Sequence, residues 1–327
     1  MLNIIRNNSP YTVIILFIFT MLVKLQPLGH PVAPVVPEHH ELYGAIVNGI
    51  NYVLRGNAFA YTLLTTIMLF GQAIYLNASF VANKLLDKPT YVVAYLYIAL
   101  TSILPYFNYF NELMLVNWCM IAGLDFAFGM HQHTQPRKQI FNAGFIIGLA
   151  PLIHFQAVVY CLILLVAILF LRAFNIAEWL VGILGLLTPI YLYACILFLV
   201  DKFPELTHWP ELGFSLPRHI ANPGYLIGTL IGLMVLFACG AYAVQGSIYK
   251  AGIYNRRMWT TIFIFLFLSL LAAIGTDISE KSVWLMTIPA LSMIIAPALI
   301  IEKTKWFSNF AFYFSLLLVI YCQWLTN

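Results

Sequence analysis

The sequence predicts an all-α, polytopic transmembrane helical bundle of about eleven spans. Three observations carry that reading. Hydrophobic residues make up 62% of the 327 positions and charged residues only 9%, against roughly 25% charged residues in soluble domains, so a water-soluble fold would lack the polar surface to cover itself. The apolar residues fall in runs long enough to cross a hydrocarbon core of about 30 Å, which takes about 20 helical residues. The runs show no alternating pattern of the kind a β-barrel strand carries, and in lipid a helix satisfies its own backbone groups.

The elements follow in order. Span one runs Pro10 to Val23. Arg6 before it mimics a signal peptide, but Lys24-Leu25-Gln26-Pro27 is no small-residue cleavage site, so the reading is an uncleaved first span. A first outer loop, residues 24–57, is rich in Pro and His. Within it, Glu41 to Leu54 places Leu42, Ile46, Ile50 and Val53 at helical spacing, widened by Ala45 and Val47, which predicts an amphipathic helix lying in the interface.

Span two is Ala58 to Leu86, span three Tyr91 to Leu104 stopped by Pro105, and span four Glu112 to Phe128. Spans five (Ile140 to Ile153) and six (Phe155 to Leu171) meet at a tight turn holding His154, and span seven is Leu180 to Val200. After a second outer loop, residues 201–222, come span eight (Tyr225 to Gln245), span nine (Trp259 to Ile274), span ten (Trp284 to Ile301) and span eleven (Trp306 to Leu325). Spans three, five and nine are short enough that one is a candidate re-entrant segment. With no internal repeat, low-complexity tract or linker, residues 1–327 read as one transmembrane domain.

Lys and Arg bias gives a direction, because cytoplasmic loops carry the excess. With the N-terminus inside and the C-terminus outside, the inner loops hold Arg6, Lys84, Lys88, Arg137, Lys138, Arg172, Lys250, Arg256, Arg257, Lys303 and Lys305. The outer side holds only Lys24, Arg55, Lys202, Arg218 and Lys281. That topology puts Glu38, Glu41, Asp201, Glu205, Glu211, Asp277, Glu280 and six histidines (His30, His39, His40, His154, His208, His219) outside. The side chains suited to acid/base work and to divalent metals therefore gather on one face.

Each constellation has a chemical and a structural reading. In Pro37-Glu38-His39-His40-Glu41-Leu42-Tyr43 the two glutamates are three apart and share a helical face. They make a base or metal site, or a solvated helix start. The aromatic turn Pro105 to Asn111 ends on Glu112, which is a site carboxylate or one that complements the helix dipole behind an Asn111 cap. Arg218 with Glu205, His208, Trp209, Glu211 and His219 is a sugar or phosphate site, or an ordinary polar loop. Lys281, beside Asp277 and Glu280, pairs with a lipid phosphate or completes a charged turn. Asp125, late in span four, is expected to snorkel or to pair with Arg137 or Lys138. Gly144 with Gly148, and Gly228 with Gly232, predict close helix packing. The five cysteines, all within apolar runs, read as buried small hydrophobes.

Several classes are excluded. No basic patch interleaved with aromatics suits nucleic acid. No P-loop, kinase or hydrolase signature is present. The span centres hold almost no ionisable residue, which argues against an ion-coupled transporter.

The order of features resembles that of the polyprenyl-phosphate-dependent multi-span glycosyltransferases (GT-C type), best over spans one to four. Glu41-Leu42-Tyr43-Gly44-Ala45, with Glu38 before it, stands where that family carries an acidic first-loop motif. Pro105 through Glu112-Leu113-Met114-Leu115 stands where it carries a Pro, a Glu and a Leu-rich helix. Lys281-Ser282-Val283-Trp284 leads to Pro289, as a basic residue precedes a Pro-containing helix there. The chain departs from the pattern in having no Asp in the first loop.

The resemblance implies a sugar transferase using a polyprenyl-phosphate-linked sugar at the outer face of a cell membrane, as in the bacterial inner membrane. Glu41, then Glu38, are the implied catalytic bases, with Glu112 beside them. His39, His40, Tyr43, Arg218 and Lys281 are the implied substrate contacts, and Glu112 and His40 the ligands of a divalent metal ion. Membrane lipids, and further proteins, are the expected partners. The alternatives from the residues alone are a non-catalytic subunit or scaffold of a cell-envelope or secretion assembly, and a transporter of a lipid-linked substrate.

Overall fold

A computed structural model describes residues 2–7, 9–35, 41–86, 88–131, 135–204, 223–249, 251–274, 281–301 and 305–325. Among these residues every regular element is helical: α1 (Leu2–Arg6), α2 (Pro10–Val23), α3 (Leu25–Gly29), α4 (Glu41–Leu54), α5 (Ala58–Ala82), α6 (Val92–Thr101), α7 (Glu112–Gly129), α8 (Pro136–Ile153), α9 (Cys161–Leu171), α10 (Ile176–Leu199), α11 (Pro223–Ile248), α12 (Ile253–Ile274), α13 (Ile288–Ile295) and α14 (Lys305–Leu325). Short 3₁₀ segments cover Pro105–Asn108, Phe155–Tyr160, Lys281–Thr287 and Ala296–Leu299.

Seven of the helical stretches are long and apolar enough to cross a membrane: Ala58–Ala82, Glu112–Gly129, Ile176–Leu199, Gly224–Ile248, Ile253–Ile274, Ser282–Leu299 and Lys305–Gln323. Their outward faces are apolar. Along α10, Leu180, Leu184, Leu187, Tyr191 and Ile196 are all exposed, a surface that water would penalise and lipid satisfies. The chain is thus built as a multi-pass α-helical membrane protein.

Three of the remaining predicted spans are shorter elements, Pro10–Val23, Val92–Thr101 and Phe155–Leu171; the fourth, α8, has 18 residues but carries Arg137 and Lys138 in its first turn. Helix α6 is the extreme case. Its 10 residues are all buried and rise only about 15 Å, half a hydrocarbon core. It is a central strut wrapped by protein rather than a lipid-facing span. Predicted span nine, by contrast, is not short. Helix α12 starts at Ile253, because Asn255, Arg256 and Arg257 form its polar first turn.

Small residues and uncharged polar groups join the helices, since apolar burial gives no net drive between helices in lipid. The predicted Gly144 and Gly148 pair seats α8 against α10, where a Cβ on Gly148 would lie 2.5 Å from the Leu186 carbonyl oxygen. Gly228 and Gly232 pack likewise on Tyr321 and Leu318 of α14. In the interior, the Gln72 amide donates to the Met114 carbonyl at 2.7 Å and its oxygen accepts from the Tyr97 hydroxyl at 2.7 Å, tying α5, α6 and α7. Asn117 donates to the Leu285 carbonyl at 3.0 Å, supplying a partner to backbone that the 3₁₀ segment displays.

The bundle has two chemically distinct ends. One gathers the basic residues. There Arg6 donates to the Leu299 carbonyl, Asn255 to that of Lys84 and Arg257 to that of Phe170, while His131 stacks on Tyr254 at 4.2 Å. Arg172 grips Glu178 bidentately, Nε to Oε2 at 3.0 Å and Nη2 to Oε1 at 2.7 Å. The expected pairing of Asp125 with Arg137 or Lys138 is not made. Asp125 accepts from the Tyr75 hydroxyl at 3.1 Å, and Arg137 adds its field to Glu178 instead.

The other end carries α4. The helix covers the predicted Glu41–Leu54, but its buried stripe is rotated from the predicted one. Tyr43 and Val47 are buried, with Leu42, Ile50 and Leu54 packed against the core, while Val53 and Tyr52 face outward. The reason is local: the Tyr43 hydroxyl reaches the Phe110 carbonyl at 3.2 Å and Tyr61 donates to the Val47 carbonyl at 3.3 Å, so the helix docks by its Tyr43 edge.

Candidate site at the end carrying α4

The turn Pro105–Asn111 organises this end. Asn111 caps α7 by accepting from the Met114 N–H at 2.9 Å, as its structural reading required. Glu112 does more than complement the helix dipole. Its side chain turns inward, and the His154 Nδ1–H donates to Glu112 Oε1 at 2.5 Å. Both are buried, at 8% and 4% exposure. His154 stands at the break between α8 and the Phe155–Tyr160 turn, in an extended conformation.

A donor at Nδ1 makes Nε2 the lone-pair nitrogen of the neutral ring, the arrangement in which a carboxylate sets the tautomer of a basic histidine. Histidine is the side chain that ordinarily exchanges a proton near neutral pH. Tyr43 docks beside Glu112: its ring stacks on Phe110 with centroids 6.3 Å apart. Burial first, then the field of Glu112, push the Tyr43 hydroxyl's pKa up. Tyr43 is therefore held as a neutral hydroxyl close enough to Glu112 to feel its charge.

A second polar feature lies on the same turn. Lys24, between α2 and α3, is wholly buried. Its Nζ donates to Asn108 Oδ1 and to Thr101 Oγ1, the latter at 3.4 Å, and burial lowers its pKa to about 7. Asn108 also lines a small pocket of about 60 Å³ with Gln26, His30, Ser102, Tyr109 and Gln323. A terminal lysine after a span normally snorkels to water, which is why the sequence points to an outer-loop cation and not to a buried one.

The predicted site residues divide by position. The structure brings Tyr43 and Glu112 together. Glu41 begins α4 and Lys281 begins the 3₁₀ segment before α13, with their side chains outside the description. Glu38, His39, His40 and Arg218 lie outside the described residues. Among the described residues no group of three His, Cys, Asp or Glu side chains converges; Glu112 and His154 supply two ligating groups. His154 is the functional candidate that sequence reasoning passed over. Its signal was a lone histidine at a tight turn on the same side as Glu112. No protein-family model, curated protein or solved structure matches this chain.

Proposed function

We propose that this protein is a membrane-embedded transferase that moves a sugar from a polyprenyl-phosphate donor to a hydroxyl acceptor at its non-cytoplasmic face, crossing the membrane about eleven times with its N-terminus inside. The observation that carries the reading is the buried Glu112–His154 bond beneath the docked Tyr43 edge of α4. Here lies a proton-accepting unit in a water-poor site, on the end of the bundle with few basic residues.

In this reading the acceptor hydroxyl, on reaching the His154 Nε2 that the resting fold encloses, gives it its proton while its oxygen attacks the anomeric carbon. The bond from that carbon to the phosphate oxygen breaks, and polyprenyl phosphate leaves with the electron pair. Glu112 holds the imidazole and stabilises the imidazolium that forms. Glu41 at the start of α4 is a further carboxylate, and Lys281 neutralises the departing phosphate; Glu38 and Arg218, outside the described residues, are the other candidates for those roles. A divalent ion on Glu112 would compete with its bond to His154.

The test uses the full chain in nanodiscs with a panel of polyprenyl-phosphate-linked sugars and follows release of polyprenyl phosphate. The wild type should release it above empty discs. Glu112→Gln and His154→Asn should fall at least about 100-fold while keeping their unfolding midpoints within a few degrees. No release from any donor, or variants as active as the wild type, would sink the proposal.

One observation favours a second reading, a non-catalytic membrane subunit. The His154 Nε2 atom is enclosed, as suits a structural bond. That reading expects the two variants to lose stability and leave every lipid-linked donor untouched.

A further inference from the structure

We infer that the pocket beside Lys24 is a binding site for a phosphate group, as inorganic phosphate or as the terminal phosphate of a lipid. The inference starts from the company Lys24 keeps. An ammonium has three donors and no acceptor. Lys24 places two of its donors, both on neutral oxygens, those of Asn108 and Thr101. The roles of these partners are fixed. Asn108 spends its own N–H₂ on the Leu104 carbonyl at 3.3 Å, and Thr101 donates to the Ile98 carbonyl at 3.0 Å, so each can only present oxygen to Lys24. No described carboxylate pairs with it.

A wholly buried cation without a counter-charge costs several kcal/mol. The chain nonetheless keeps a lysine there, against a wall that opens into a pocket. Among the described residues the pocket is lined by Gln26, His30, Ser102, Asn108, Tyr109 and Gln323 beside Pro27, Ile103 and Pro105; it holds no carboxylate, and Ser102 and Gln323 also donate to the Ile98 and Val23 carbonyls. His30 and Tyr109 are its titratable members. A volume of about 60 Å³ holds a few waters or one tetrahedral oxyanion. Asn108 separates the pocket from Lys24, so an anion there meets the Lys24 charge across a single amide, in surroundings where such attraction is weakly screened. Burial lowers the Lys24 pKa to about 7, and a bound dianion would raise it and draw a proton onto the amine.

Binding can be read without turnover, so the outcome is separate from that of the transferase reading. Full-length protein in uncharged nanodiscs would be titrated with inorganic phosphate and, in a second arm, with discs containing a long-chain alkyl phosphate. Unfolding midpoint and proton uptake would be followed between pH 7 and 8. Ligand at about 100-fold over its Kd should raise the wild-type midpoint by several degrees with uptake of protons. Stabilisation by both probes makes the site a general phosphate site; stabilisation by the alkyl phosphate alone makes it a lipid site.

Lys24→Met removes the charge, and Asn108→Asp supplies an internal counter-ion while keeping the lysine. Both should lose the response. If neither probe shifts the wild type, or if both variants respond as it does, the inference is wrong. Should the variants fail to fold, stabilisation of the wild type without proton uptake overturns it equally.

Discussion

Two glutamates show how the same local sequence logic yields a clamp at one end of the molecule and a candidate reactive group at the other. Glu112 and Glu178 each sit in the first turn of a long helix, behind an asparagine that caps it: Asn111 accepts from Met114 N–H, and Asn175 from Ala177 N–H. Both are buried, Glu178 at 4%. Each turns to a basic partner rather than to water. They differ in that partner. Arg172 is permanently charged and grips Glu178 through two parallel bonds, a geometry that fixes position. His154 meets Glu112 through a single ring nitrogen, Nδ1 to Oε1. The fold therefore uses a buried carboxylate twice, once against a guanidinium and once against an imidazole.

Glu112→Gln should break this comparison most sharply. The amide keeps size and one acceptor but removes the charge that stabilises an imidazolium. Release of polyprenyl phosphate should drop by about 100-fold or more, on the order of 3 kcal/mol in barrier. The matching change, Glu178→Gln, should leave the rate per folded molecule unchanged. Equal effects of the two on turnover would show that neither pair is special.

Next in size is Arg172→Ala, a stability effect. It leaves the Glu178 carboxylate buried without its fork, which costs 3–5 kcal/mol in fully buried pairs. Arg172 retains some solvent access, with its side chain 27% exposed, so a loss of about 3 kcal/mol is expected. Thermal unfolding of the full chain would measure it, and a loss below about 0.5 kcal/mol would place the pair among ordinary surface bridges.

Lys24 extends the comparison to a buried charge whose partners are neutral. Its folded pKa of about 7 lies below the ordinary value of 10.5. Between those values the unfolded chain binds more protons than the folded one, so stability rises with pH across that window and the full penalty stands below pH 7. In phosphate-free buffer, the wild type should gain about 2.7 kcal/mol relative to Lys24→Met between pH 6 and pH 9. His30 and Tyr109 are present in both proteins and cancel. A pH-independent difference would mean that Lys24 reaches water.

Much of this was legible in the chain. The α4 bounds, the Asn111 cap and both Gly-x-x-x-Gly seams follow from local spacing, because caps and close approach depend on neighbours within a turn or two. What stayed hidden is long-range. The partner of Glu112 lies 42 residues away and that of Lys24 84 residues away; hydropathy puts both on one side of the membrane without saying that they touch. The depth of α6 was hidden for the same reason. Its run of Val, Ala, Tyr and Leu is as apolar as a lipid-facing span, and only the packing of α5, α13 and α14 around it makes it a buried strut.

The smallest expected effect tests what Tyr43 does. Its ring stacks on Phe110 and its hydroxyl bonds the Phe110 carbonyl, both of which dock α4. Tyr43→Phe keeps the ring and removes the one bond, which should cost about 1 kcal/mol of stability and less than a tenfold change in phosphate release. A loss of turnover as large as that of Glu112→Gln, at unchanged stability, would move the hydroxyl from docking into the chemistry. The docked edge of α4 would then be part of the reactive group and not merely its cover, and the contrast with the Arg172–Glu178 clamp would widen from one residue's partner to a whole element.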